Sequence, residues 1–464
     1  MAFKTKIGFL TRATAAALSG TIVLAAPVAS AETIYQALAL AYDSNPALNA
    51  QRAATRSVDE KVPQAKSFLR PQVNFAADLG FSSRTTNAPG LPTIKTQLRP
   101  YGFRITIDQS LFRGFRTVNT IKSARANVRA SRETLRNVEQ NTLFNAASAY
   151  ADVVQAQRIL RLRQSNISFL SEQVRSANAR LEVGEGTRTD VAQSDAQLAL
   201  ARAQAAAAQA SLASSRAVYR EVVGRSPRHL RDPAVPHRLL PHSLDDAILS
   251  AVVSHPSVKV TQHLLDAAAF NVKTTEGELL PTLSARAQTQ RRFNNQQSGD
   301  RTTTSTATVN LTVPLYQGGA VASRVREGKQ VVGQRRIEVD QARDTVRRAV
   351  VDAWSQLISA RASITSGNAQ VRAARLALNG VVEERNVGQR TQLDVLEAQS
   401  NLLNAQISLT QARRNRVVAA YGLLSAVGRL NSQRLGLQVR HYSPVAHFDQ
   451  VKDKWYGLRT PSGR

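Results

Sequence analysis

Cysteine is absent from this 464-residue chain, which removes both a disulfide framework and thiolate chemistry. Long apolar runs are absent beyond residue 31. No later segment approaches the roughly 20 uninterrupted apolar residues of a spanning helix. Acidic residues are scarce, 33 against 61 lysines and arginines, for a formal net charge of +28. That balance would suit a nucleic-acid binder. Yet aromatics are only 5% of the chain, and the arginines are scattered along polar helix faces instead of forming blocks interleaved with aromatics. A positive surface of this kind fits anionic lipid headgroups or acidic partners better. Catalytic signatures are missing as well: no Gly-x-Ser-x-Gly elbow, no His-Glu-x-x-His, no phosphate loop. His229, His237 and His242 cluster in a proline-rich stretch without metal-ligand spacing. The expectation is a protein that is not an enzyme and holds no cofactor or metal.

What is present begins with an export signal. Lys4 and Lys6 charge the start, an apolar stretch runs from Ala15 to Val28, and Ala29-Ser30-Ala31 is an A-x-A cleavage site before Glu32. A retained anchor is the alternative reading of the same segment.

The remainder states one pattern twice. Val183-Gly184, Thr187, Asp190-Val191, Leu198 and Gly224-Arg225 recur as Val387-Gly388, Thr391, Asp394-Val395, Leu402 and Gly428-Arg429, always 204 positions later. Gly114 matches Gly318 at the same offset, whereas Pro46/Pro256 and Pro71/Pro281 sit 210 apart, so the first copy holds about six extra residues between Pro71 and Leu111. Solenoid units repeat every 20–50 residues or so, and this period marks a duplicated domain-sized module. The parts divide as a signal over 1–31, a first copy over 32–237, a second over 238–430, and an irregular tail over 431–464.

Each copy opens with a helix interrupted by proline (Pro46, Pro256), followed by two alternating segments. Val73, Phe75, Ala77, Leu79 and Phe81 alternate with Asn74, Ala76, Asp78, Gly80 and Ser82, and Phe103, Ile105 and Ile107 alternate with Arg104, Thr106 and Asp108. The second copy does the same around Leu283–Ala287 and Val309–Val313. Period two gives each strand one apolar and one polar face. The expected strands cover about 72–83, 101–112, 282–292 and 304–315. About ten residues is the length of a tilted strand crossing a bilayer, lipid outside and water inside. Two soluble hairpins over a core are the alternative. The connecting stretches, Ser83–Arg99 and Phe293–Arg301, read as polar loops, the first absorbing the extra residues.

After Gly114 and Gly318 the pattern becomes helical, broken once near Gly184 and once near Gly388. The expected helices cover about 115–182, 188–224, 319–386 and 392–428, the longer ones reaching about 100 Å. Leu393, Leu396, Ser400, Leu403, Ile407, Thr410, Arg414, Val417, Tyr421 and Leu424 step by three and four, which is a coiled-coil seam. The alanine-rich run Ala196–Ala213 allows close backbone approach. A two-helix hairpin of that length needs neighbours to bury its seam, so oligomerisation is expected.

The export signal, the duplicated strand-pair-plus-hairpin and a Gly-x-x-Thr-x-x-Asp-Val turn in both copies resemble the TolC family of outer-membrane efflux proteins. The run Val387-Gly388-Gln389-Arg390-Thr391-Gln392-Leu393-Asp394-Val395-Leu396-Glu397-Ala398 is similar to that family's signature at the coiled-coil tip. The resemblance covers essentially the whole chain after the signal. It implies an α+β, mainly α fold in which three chains build a twelve-stranded β-barrel in the outer membrane of a Gram-negative bacterium, continued by an α-helical barrel across the periplasm. It also implies partners: a homotrimer docked on a periplasmic adaptor of an inner-membrane pump or an ABC exporter, within outer-membrane lipid and without nucleic acid. The cargo would be drugs, toxic amphiphiles or polypeptides leaving passively.

The same resemblance implies a gate. Asp394 and Glu397, one helical turn apart, would form an acidic ring that repels anions. A latch would link Arg390 of one hairpin to Thr189 and Asp190 of the other. The chain departs from the family pattern at Glu397, where aspartate is usual, and at Arg385, where a tyrosine takes part in the latch. Spacing alone supports a plainer role: Thr187-x-x-Asp190 and Thr391-x-x-Asp394 are capping boxes, and Gly184 and Gly388 terminate helices. Against the duct stands a periplasmic coiled-coil adaptor with no pore. A general diffusion porin is disfavoured by the long helices.

Overall fold

The computed structural model describes residues 32–461 and 463. The expected signal, 1–31, lies outside the described residues.

Each copy begins as expected, with a helix that restarts at proline. In the first copy α1 (Ile34–Ser44) opens with a Thr33/Gln36 capping box, and Asn45 ends it and caps α2 (Pro46–Asp59). A further short helix, α3 (Lys61–Lys66), leads to the sheet. Proline at the first helical position has no donor to waste there, so it restarts the helix without penalty.

Strand β1 (Gln72–Leu79) runs up, β2 (Ser82–Thr86) and β3 (Ile94–Leu98) turn back, and β4 (Tyr101–Arg113) runs down. The stretch expected as a polar loop over 83–99 is therefore a hairpin for much of its length. Gly80 N–H donates to the Pro100 carbonyl at 2.8 Å, and Ser82 opposite Leu98 keeps the register of Leu79 opposite Tyr101. The ladder continues upward past the apolar rows, carried by backbone pairing.

The long helices follow: α4 (Arg116–Glu182, 67 residues) and α5 (Arg188–Val223, 36 residues). The linker crosses to α6 (Leu244–Ser254) and α7 (Pro256–Glu276), the latter capped by His255 Nδ1 accepting from the Ser257 amide at 3.1 Å. Then come β5 (Thr282–Phe293), β6 (Arg301–Thr312), α8 (Ala320–Asn386, 67 residues) and α9 (Gln392–Ala426, 35 residues). Val313–Leu315, expected to end the last strand, lies beyond β6. No described helix is long and apolar enough to cross a membrane.

One sheet in the order β1-β4-β5-β6 joins the copies, every neighbour antiparallel. The apolar rows align across it: Val73 opposite Ile107, Phe75 opposite Ile105, Ala285 opposite Val309, Leu283 opposite Leu311. Phe75 is 69% exposed and Leu311 64%. An apolar sheet face bared to this degree is not packed on a core, contrary to the soluble-hairpin alternative.

The main core lies where the helices of both copies meet. It gathers Leu38, Leu143, Tyr150, Tyr219, Val350 and Tyr421 among others. Glu32 is buried at its edge, its carboxylate accepting from the Tyr219 hydroxyl at 2.8 Å and from Arg225 at 3.0 Å. The tail, expected to be irregular, contains α10 (Pro444–Val451). Val445, Phe448 and Val451 are spaced for one helical face, and Val451 is buried. His447 bonds buried Asp59 at 3.0 Å, and Arg70 donates to the Lys454 carbonyl at 2.7 Å.

Candidate functional site

The two hairpin tips lie farthest along α4/α5 and α8/α9 from the sheet, and their turns are built alike. After α4 the Glu185 amide donates to Arg180 O (2.8 Å) and the Gly184 amide to Leu181 O (3.1 Å). After α8 the Gln389 amide donates to Glu384 O (2.8 Å) and the Gly388 amide to Arg385 O (3.0 Å). This is the Schellman pattern, and it needs the left-handed backbone that both glycines adopt at φ 79°. Each next helix starts with a full capping box. Thr187 N–H and Oγ1–H donate to Asp190 Oδ2 at 3.1 and 2.7 Å; their counterparts in Thr391 donate to Asp394 Oδ2 at 2.8 and 2.8 Å. The plainer reading of both aspartates, as caps, is thus met in the geometry.

Capping does not exhaust Asp394. Both bonds use Oδ2, and the Thr391 amide and hydroxyl hold the carboxyl below the usual carboxylate range, Arg390 adding a smaller pull. Asp394 therefore stays ionised well into acid. Glu397 is exposed one turn further on. The tip of α9 thus presents two carboxylates on one helix face.

Arg390 donates to Glu384 at 2.7 Å within its own turn. Among the described residues it makes no hydrogen bond to Thr189 or Asp190. Arg385 makes the contact between hairpins instead. It is 8% exposed and donates at 2.8 Å to Gln173 of α4 and at 2.8 Å to Gln392 of α9. Gln392 in turn reaches Gln173 at 3.3 Å and Ser194 of α5 at 3.4 Å. The acceptors of this guanidinium are neutral amides, and its Nε has no partner. Burial lowers its pKa, and the Arg180 charge nearby lowers it further. The departure noticed at Arg385 is therefore a four-helix polar knot. Sequence reasoning missed Gln173 and Gln392. The available signal was the mismatch between copies, since Arg385 and Gln392 stand where the first copy has Leu181 and Arg188.

At the other end, the polar face of the sheet carries Asp108 paired with Arg286 at 2.6 Å and Asp78 with Arg292 at 3.7 Å. One face suits hydrocarbon and the other water, as in a membrane β-barrel wall.

A bilayer-length sheet, apolar on one face and polar on the other, continued by paired helices of about 100 Å, defines an outer-membrane duct. The chain belongs to the outer membrane efflux protein family, whose model matches residues 37–225 and again 247–429. It is 47% identical to outer membrane efflux protein BepC of Brucella suis, over 97% of each chain. It is 25% identical to outer membrane protein TolC of Escherichia coli, over 88% of this chain and 84% of that one. Among solved structures, the CmeC outer membrane channel of Campylobacter jejuni superposes with a TM-score of 0.77 at 15% identity, covering 91% of this chain and 89% of that one. The protein is an exit duct of the outer membrane with a large periplasmic helical portion; the pore-free adaptor reading is set aside.

Proposed function

We propose that three copies of the chain close into one twelve-stranded barrel and one helical tunnel. The observation that carries this is the pair of open edges. Among the described residues β1 and β6 each pair on one side only, in a sheet whose apolar face is bare. Unpaired backbone groups cannot stand in hydrocarbon, so the edges must meet those of other copies. Helices α5 and α8, mostly uncovered along their length within one chain, are covered by neighbours in the same closure.

The tunnel ends at the two tips. There Asp394 and Glu397 of three chains form an acidic constriction that favours cations. Arg390, which donates to Glu384 within its own turn, latches the tips by linking to Thr189 and Asp190 of the other hairpin. A periplasmic adaptor, coupled to an inner-membrane pump or an ABC exporter, engages the tips and supplies the opening energy. Drugs, toxic amphiphiles and polypeptides then leave passively.

Because the chain has no cysteine, an introduced pair reports strand contacts without background. A cysteine at Asn74 on β1, combined in turn with one at Thr304, Thr306, Thr308 or Asn310 on β6, should give covalent trimers on oxidation for the pair in register. Only monomers or dimers from every combination would refute the closure.

A further inference from the structure

The outward face of the sheet is not apolar throughout. On β1 and β4 it reads Val73, Phe75, Ala77, Leu79 against Ile107, Ile105, Phe103, Tyr101. On β5 and β6 the half nearer the helices is equally apolar. The half nearer the turn changes: Thr289 faces Ser305, Arg291 faces Thr303, and Phe293 faces Arg301. Thr289 and Ser305 satisfy each other through a 2.5 Å hydrogen bond. Among the described residues the two arginines have no such partner on this face. Arg286 and Arg292, pointing inward, take Asp108 and Asp78. Asp300, next to Arg301 in the chain, is occupied by the turn, accepting from the amides of Asn295, Gln296 and Gln297 at 2.7, 2.8 and 3.3 Å.

Arg291 and Arg301 are diagonal cross-strand neighbours, a relation that places Cα atoms about 7–8 Å apart. The Arg291 guanidinium lies 5.3 Å over the Phe293 ring, which stacks on Tyr101 at 4.7 Å. From Leu283 to Arg291 the strand climbs roughly 27 Å, or about 20 Å of bilayer depth at the usual tilt. Arg291 therefore stands at the upper edge of an apolar band about 25 Å tall, beside an aromatic girdle. At the hydrocarbon midplane an arginine facing lipid is costly, but at the interface it costs almost nothing. Two unpaired cations there, facing lipid, are complementary to a phosphate carried by the lipid itself.

We infer that Arg291 and Arg301, aided by the Thr303 hydroxyl, bind the phosphate of a phosphorylated glycolipid in the outer leaflet, the lipopolysaccharide headgroup. The site rests on the strands crossing the outer membrane with this face toward lipid, and closure into a trimer repeats it on each protomer. The polar half of the β5–β6 face is then explained as a headgroup seat, where the β1–β4 face meets acyl chains.

The test is native mass spectrometry of the detergent-purified full-length protein titrated with lipid A, in four arms. Wild type should bind lipid A at least tenfold tighter than dephosphorylated lipid A. The Arg291→Gln/Arg301→Gln variant should lose at least tenfold for lipid A, while Arg104→Gln, on the inward face, should bind as wild type does. Excess inorganic phosphate should leave the lipid in place. Equal binding of phosphorylated and dephosphorylated lipid, undiminished binding by the double variant, or displacement by inorganic phosphate would each overturn the inference. Should the double variant fail to assemble, the two lipids on wild type decide alone. Bilayer conductance of the same samples separates the two readings: conductance without phosphate-dependent lipid binding removes the headgroup seat and keeps the duct, and no conductance removes the duct.

Discussion

Arg385 and Gln173, 212 positions apart in the chain, share a 2.8 Å hydrogen bond that ties the tip of the second hairpin to the flank of the first. The guanidinium is buried, and its other acceptors are Gln392 and Asn386. A buried cation held by neutral groups depends on each of them, because losing one leaves a desolvated donor unsatisfied at about 1–3 kcal/mol.

Gln173→Leu should therefore loosen the tips by about that amount, seen as faster hydrogen exchange in peptides around 173 and 385. Arg385→Met removes the charge together with its demand for partners and should be nearly neutral. The double variant should resemble Arg385→Met alone, a non-additive cycle. Additive losses would mean the two side chains do not act as one unit.

A second prediction concerns pH and the tail. Burial raises the pKa of Asp59, the opposing hydrogen bond from His447 and charge of Arg132 notwithstanding. A carboxyl with a raised folded pKa contributes stability that is complete below its unfolded value and is lost as pH rises through the folded one. Packing of α10 over the buried Asp59 carboxyl should thus tighten as the medium is acidified from neutral toward the ordinary carboxylate range, because burial is what raises the pKa. Hydrogen exchange of 444–451 measures it, and Asp59→Asn should flatten the dependence. An unchanged slope in that variant would assign the effect elsewhere.

The strand-to-helix corner gives a third. A methyl group on Gly114 would fall 2.2 Å from the Gly277 carbonyl oxygen, and one on Gly277 would fall 2.2 Å from that of Gly114. Gly114 also has φ +58° and Gly277 has φ −64°. Gly277→Ala meets the clash alone, while Gly114→Ala adds about 1–2 kcal/mol for a left-handed backbone. Both should lower the temperature at which the assembled protein dissociates on unheated gels, Gly114→Ala more. Tolerance of Gly277→Ala would show that the two backbones part easily.

Much of this architecture was legible in the residues. Period-two alternation at 73–81 and 103–107 exposes a strand face directly, and proline at 46 and 256 marks a helix restart wherever a capping side chain precedes it. The β2–β3 hairpin was not legible. Ser82–Thr86 is polar on both faces, and what holds it is the continuing ladder below. The seam along α9 was read too narrowly: Leu393 and Ser400 are exposed, while Val395, Leu402 and Leu409 add a second buried row against neighbouring helices. The tip capping boxes were visible as spacing. The Arg385 knot was not, because a buried arginine of α8 between glutamines of α4 and α9 exists only once the hairpins are packed.

Planar-bilayer conductance tests the central claim most directly, with the purified protein beside its Asp394→Ala/Glu397→Ala variant. A duct narrowed by an acidic tip predicts a small, cation-selective wild-type conductance, and higher conductance or lost selectivity in the variant. A folded trimer that conducts nothing would contradict the duct, and a variant indistinguishable from wild type would leave Asp394 as a helix cap alone.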